Sequence, residues 1–435
     1  MIPGDQLNVG KKRYFHLFAR GLIAYFWNMN LPLQKPELLA PAGNMTMLNA
    51  VLNAGADAVY LGIEKLNMRA TAANFTADML PEIVSLCHSK GSEVHLTVNS
   101  IVMEEEISEL DGVMQAAKQS GVDLIICWDT AVIQKCIEHE MPFCISTQAS
   151  ISNSGSAKFY KNLGARRIVL ARECTLEEII KIKESVDVEI ETFIHGAMCV
   201  AVSGRCFMSH ELFGRSANQG DCMQPCRREY EIYDGKKDYS LLLGEDYVMS
   251  AKDMNTLPFI EKLIEAGIHA FKIEGRKRSP EYAAKVTSVY RRAIDAYFDG
   301  TLTEGMKSSL GEELLTVYNR GYSNGFYFGL PDGGDISKVA GSESEYQKQY
   351  LGRVLNYYKS PKIAYIQMEA GELAAGDTVL VIGETTGVVE AAVAEMRVNE
   401  QAGASAGKGD LVTFYSEERV REGDKVYILR KKQNT

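Results

Sequence analysis

The chain has 435 residues, 46% of them apolar, and a formal net charge of −10. That length buries a large core and admits two or three domains. The acidic balance argues against a surface coated in basic residues for indiscriminate nucleic-acid binding, and no run of about 18 apolar residues supports a membrane-spanning helix.

Residues 1–28 carry Lys11-Lys12-Arg13 ahead of an apolar, aromatic stretch reaching Trp27, but Arg20 interrupts it and no small-x-small cleavage site follows. We read this segment as a non-native or disordered extension with Met29 as the natural initiator; a short amphipathic surface helix is the alternative. Beyond it a unit recurs: a glycine after a helical stretch, two or three small or polar residues, then an apolar run. Gly55, Gly91, Gly121, Gly164 and Gly267 each open one instance. Glycine there suits the left-handed residue that ends a helix, and a continuous apolar run suits a strand buried on both faces.

Eight strands are predicted in this way, over 37–41, 57–63, 93–99, 124–129, 142–147, 167–172, 189–194 and 269–274. Helical periodicity fills the gaps, as in Leu176, Ile179, Ile180 and Ile182, so a parallel (β/α)8 TIM-like barrel is favoured over a doubly wound sheet. About 75 residues separate the seventh and eighth strands, an excursion long enough to carry function at the C-terminal face of a barrel. A helix over 283–298 and a polar connector over 301–348 follow. From 349 to 435 short alternating strands follow Gly376-Asp377, Gly409-Asp410 and Gly423-Asp424, which reads as a small antiparallel β-barrel. The domains expected are therefore the extension 1–28, a barrel over 29–300 with a metal-binding excursion at 196–250, the connector, and the C-terminal β-barrel.

Nine cysteines are present, an odd and scattered set unlike a disulfide framework, and the reading is a cytoplasmic protein. Cys87, Cys127, Cys136, Cys144 and Cys174 sit singly among apolar residues and read as core. Cys199, Cys206, Cys222 and Cys226 instead share 28 residues of the excursion, with six, fifteen and three residues between them. Four soft thiolates converging in the cytoplasm hold an iron-sulfur cluster or a zinc ion. Zinc's usual pattern is two tight pairs, and the wide first pair here favours a cluster.

The run from Glu191 through His195, Cys199 and Cys206 to Ser209 resembles the signature of the collagenase-like peptidase family, the thirty-second family of unknown-type peptidases. The similarity extends from Pro36–Gly43 through Lys272–Arg276 and into the terminal module. The peptidase label fits poorly, since no HExxH helix, GxSxG elbow or evident triad is present; a His195 and Cys199 dyad is the remaining hydrolytic alternative. Other relatives are oxygen-independent hydroxylases, and the branch with a C-terminal barrel forms 5-hydroxyuridine at the tRNA wobble position with prephenate as hydroxyl donor. Other branches hydroxylate ribosomal RNA or serve ubiquinone synthesis.

The resemblance thus implies a 4Fe-4S cluster on Cys199, Cys206, Cys222 and Cys226, with tRNA and prephenate as substrates. It also leaves room for a paralogous partner subunit, or for a role as the cluster-carrying subunit of a complex. Prephenate carries two carboxylates, so guanidinium clamps are expected among Arg69, Arg172, Arg205, Arg276 and Arg278, with Asn67 and Gln148 as further substrate contacts. His195, Glu191 and Glu274 are the candidate proton-handling groups. Arg215, Arg227, Arg228 and Lys277 extend the basic set into a rim, on which Phe207, Phe213 and Tyr230 are candidate base-stacking residues.

Overall fold

Apolar runs following the five glycines become parallel strands in the computed structural model, which describes residues 33–68, 75–199, 201–228, 231–233, 240–242, 250–337 and 341–432. The expected extension 1–28 lies outside them. The strands are β1 (Glu37–Pro41), β2 (Ala58–Leu61), β3 (Glu93–Thr97), β4 (Leu124–Cys127), β5 (Phe143–Ile145), β6 (Arg167–Val169), β7 (Glu189–Ala197) and β8 (Ala270–Ile273). Each pairs in parallel with the next, and β8 closes on β1, so the sheet is an eight-stranded barrel. Gly55, Gly91, Gly121, Gly164 and Gly267 all adopt positive φ at the helix ends that precede β2, β3, β4, β6 and β8.

Most strands end a residue or more before the apolar run does, because the chain leaves the ladder to build loops at the C-terminal face. Strand β7 is the exception. It runs on to Ala197 because Asp253–Asn255, too short and polar to register as an apolar run, pairs antiparallel with residues 195–197. Helices α1 (Met45–Asn53), α2 (Leu80–Ser89), α3 (Ile107–Ser120), α4 (Thr130–Glu138), α5 (Ser154–Asn162) and α6 (Leu176–Ser185) ring the barrel. Helix α7 (Met208–Phe213) lies in the excursion; α8 (Ile260–Glu265) and α9 (Pro280–Phe298) flank β8. The stretch read as a polar connector contains α10 (Glu304–Leu315), which buries Leu310 and Leu314 at i, i+4 spacing. Among the described residues no helix is long and apolar enough to cross a membrane.

The N-terminal end of the barrel is held by ions. Arg167 meets both Glu37 oxygens at 2.6 and 3.0 Å and Glu189 at 2.8 Å, while Lys272 meets Glu191 at 2.8 Å. Removing one partner of such a network strands a buried charge.

The C-terminal module has its own core, including Leu351, Ile366, Val381, Phe414 and Ile428. Its eight antiparallel strands include β9 (Tyr346–Tyr358), β10 (Ile363–Met368), β11 (Thr378–Gly383), β12 (Gly387–Ala392), β13 (Leu411–Tyr415) and β14 (Lys425–Lys431). The ladder runs from β12 to a short edge strand at Gln401–Gly403 without a pairing between its two ends. The repeated Gly-Asp has one cause. Asp377, Asp410 and Asp424 each accept the backbone N–H three residues upstream, at 2.8 Å in all three turns. The module docks through β12 onto α1, where Gly387 comes so close that a Cβ would lie 2.6 Å from the Ala50 nitrogen.

Candidate functional site

The excursion leaves β7 with a backbone only glycine adopts comfortably. Gly196 has φ of 110°, and a Cβ there would lie 2.5 Å from the Glu274 carbonyl oxygen. Cys199, just beyond this close approach of β7 to the end of β8, lines the same cavity as Glu274, Arg276 and Arg278. Cys206 precedes α7, Cys222 follows a turn at Ala217–Gln219, and Cys226 lies in the turn Pro225–Arg227. All four cysteines line one cavity of about 330 Å³.

Local hydrogen bonds hold this arrangement. The Met208 and Gln224 amides point at the Cys206 and Cys222 sulfurs, each at 3.4 Å. Buried Ser209 accepts the Met223 amide at 2.9 Å and so ties α7 to the segment bearing Cys222. Arg227 donates to the Met198 and Ala251 carbonyls and, at 3.0 Å, to the Ser250 hydroxyl. It therefore joins the start of the excursion to its end. Burial raises the Cys226 thiol, Arg227 opposes this, and the other three thiols add to it, so the four groups sense one another.

Four thiols on one cavity wall are a donor set that would fit a polynuclear centre. Among the described residues no three of these thiols lie within 4.8 Å of one another. Around a single tetrahedral zinc, thiolates stand about 3.8 Å apart. A polynuclear centre spreads its ligands more widely, and amide donors aimed at sulfur are what stabilise and tune thiolate ligands. The tightest group of other ligand types, Glu37, Glu93 and His95, sits at the opposite end of the barrel, where Arg167 occupies both Glu37 oxygens.

The remaining wall is cationic. Arg172, Arg276 and Arg278 line the cavity, as do Lys272, Lys277, Arg227 and Arg320; Glu274 faces them, 3.7 Å from Arg172. Three of the expected clamps are fixed in place. Arg172 stacks 3.8 Å over the Phe193 ring, Arg276 donates to Thr97 Oγ1 at 2.9 Å, and Arg278 lies 4.0 Å over Tyr318 and 3.3 Å from Asp253. Gln148 also lines the cavity, its side chain bonded to the Ser146 hydroxyl. Lys272, Arg320 and Asp253 were assigned no role from sequence. Lys272 is the inward charge of a short strand, and its place between Phe271 and Ile273 was the available signal.

Four expectations are corrected. His195 does not face the cysteines: its ring packs among Tyr282, Tyr290 and Tyr322, and Nδ1 lies 3.3 Å from the Tyr290 hydroxyl. A register shift between Lys272 and Ile273, opposite Phe193 and His195, breaks the strand's alternation and turns the imidazole away. Glu191 is fully buried in the ion network with Lys272 and Arg167 and does not line the cavity. Asn67 is buried outside the lining and supports Arg276, 3.5 Å away, instead of meeting a ligand. Arg205 sits on the rim, stacked 4.6 Å over Trp128, with its guanidinium on the Gln148 carbonyl. Arg69 and Tyr230 lie outside the described residues. Among the described residues no histidine lines the cavity, so the His195 and Cys199 dyad has no geometric basis.

The model for Peptidase family U32 matches residues 43–337. An uncharacterized protease of Methanocaldococcus jannaschii is 40% identical over 91% of this chain and 98% of its own length. A collagenase of Porphyromonas gingivalis is 39% identical, with the same two coverages. The tRNA hydroxylation protein P1 of Bacillus subtilis is 38% identical over 77% of this chain and 80% of its own length. The matched span takes in barrel strands β2 to β8, the four cysteines and the cationic wall, and the chain is a member of peptidase family U32.

Proposed function

We propose that this chain is an iron-sulfur-dependent, oxygen-independent RNA hydroxylase that forms 5-hydroxyuridine at the tRNA wobble position with prephenate as hydroxyl donor. The observation that carries this reading is one cavity lined both by four thiols and by a cluster of buried cations. The similarity to a protein named for tRNA hydroxylation supports the same choice. A 4Fe-4S cluster on Cys199, Cys206, Cys222 and Cys226 would supply electron transfer.

The chain's own residues do the rest. Arg172, Arg276 and Arg278 are held by rings, a hydroxyl and a carboxylate with their cationic ends toward the cavity, an arrangement suited to a dicarboxylate. Glu274 is the carboxylate placed to accept or return a proton there. Gln148 offers an amide to a substrate polar edge. Peptide hydrolysis has the support of the relatives' names, but among the described residues the cavity offers no histidine base to a thiol nucleophile.

The test is anaerobic purification followed by incubation with prephenate and tRNA from a strain lacking the modification, with nucleosides read by mass spectrometry. Brown protein with visible sulfur-to-iron absorbance and new 5-hydroxyuridine supports the proposal. Iron-loaded protein that leaves uridine unchanged overturns the hydroxylase reading, and product that appears only with a second subunit assigns the chain a cluster-carrying role.

A further inference from the structure

The excursion carries an unusual concentration of exposed apolar surface. Phe207 is 77% exposed and Val202 65%, and Leu212 and Phe213 are exposed as well. Isolated surface hydrophobics need no explanation, but four within twelve residues at the mouth of a cavity do. Two arginines lie on aromatic rings in the same region. Arg228 is 4.3 Å over Phe213, and Arg205 is 4.6 Å over Trp128. Both arginines are exposed, so each guanidinium covers a ring on one side and leaves surface to solvent.

We propose that Phe207, the Arg228–Phe213 stack and the Arg205–Trp128 stack form a platform on which unpaired RNA nucleotides flanking the target base stack. This inference rests on the RNA reading above and names the surface that would recognise the RNA. The physical case is threefold. A flat ring or guanidinium accepts any base on its face, which suits single-stranded rather than duplex RNA. Between Cys199 and Arg228 there are four arginines against two carboxylates, a positive segment on a chain of net charge −10. That segment surrounds the cationic cavity, so phosphates are drawn to this face and repelled by the rest of the body.

The platform is tested by fluorescence anisotropy of the anaerobically purified full chain, with a labelled RNA hairpin bearing an unpaired loop and a blunt duplex of the same stem. Phe207→Ala and Arg228→Lys are each expected to weaken hairpin binding about tenfold and to leave duplex binding unchanged. Phe207→Trp restores the hairpin affinity, and Arg228→Lys, which keeps its charge, leaves the salt dependence as it was. Phe213→Ala, seven residues from Cys206, is expected to show the same weakening with the visible absorbance intact. Tight hairpin binding untouched by Phe207→Ala, Phe213→Ala and Arg228→Lys would overturn the platform and leave the RNA reading standing. Wild-type protein that binds no hairpin would overturn both. A wild-type self-association abolished by Phe207→Ala would reassign the surface to contact between protein chains.

Discussion

Burial holds the His195 imidazole neutral down to about 3, with the nearby Arg278 charge as the second cause. The unfolded chain titrates at about 6.5, so between these values it binds a proton that the folded chain does not. The contribution is therefore fully present above about 6.5 and is lost as the pH falls. From pH 7 to pH 5 it amounts to about 2 kcal/mol. His195→Phe, which suits the surrounding tyrosines, should flatten the pH dependence of the urea midpoint by that amount. An unchanged slope would show that the ring is not held neutral. Arg227 offers a second prediction, because its three donated bonds join the two ends of the cysteine excursion. Arg227→Ala should weaken retention of the proposed cluster about 10- to 100-fold, read as loss of visible absorbance to a chelator, and Arg227→Lys should recover only part. Equal retention in all three proteins would remove the clasp from the account.

At the scale of elements, the close approach of β7 to the end of β8 builds the site. Gly196→Ala puts a Cβ within 2.5 Å of the Glu274 oxygen at a φ of 110°, and should lower stability by about 1–3 kcal/mol in urea titration. An unshifted midpoint would mean that the two strands separate freely. Most barrel strands were legible in sequence because they combine a short apolar run with a local start signal, often a helix-ending glycine. That the four cysteines would gather at one place was legible because they share 28 residues of a single excursion. His195 was misplaced because side-chain direction on a strand is read by alternation, and the register shift opposite Phe193 and His195 interrupts it. Glu191 lies ahead of that shift and was misplaced because its ion partners Arg167 and Lys272 come from other strands. Asp253–Asn255 was missed because a three-residue segment with two polar residues becomes a strand only when β7 is there to pair with it.

The whole molecule has two cores, one in the barrel and one in the C-terminal module, and their contact is narrow and largely polar. It includes Asn49 Nδ2 on the Glu384 carbonyl at 2.9 Å and ion pairs of 2.7 Å between Lys285 and Glu390 and between Lys348 and Glu281. Ion pairs open to solvent on one side add little, at most about 1 kcal/mol each. The backbone of β12 lying directly on α1 at Gly387 therefore carries much of the docking, and it leaves no room for a side chain. Neither backbone can yield without moving a whole element, since Ala50 is mid-helix and Gly387 is paired with Gly383 in the sheet. Gly387→Val should thus uncouple the two cores while leaving each intact. Calorimetry is expected to show two separated transitions in the variant, with visible absorbance lost only in the barrel's. A single transition at the wild-type temperature would mean that other contacts hold the module to the barrel, because each core already has its own buried side chains and only their junction depends on this glycine.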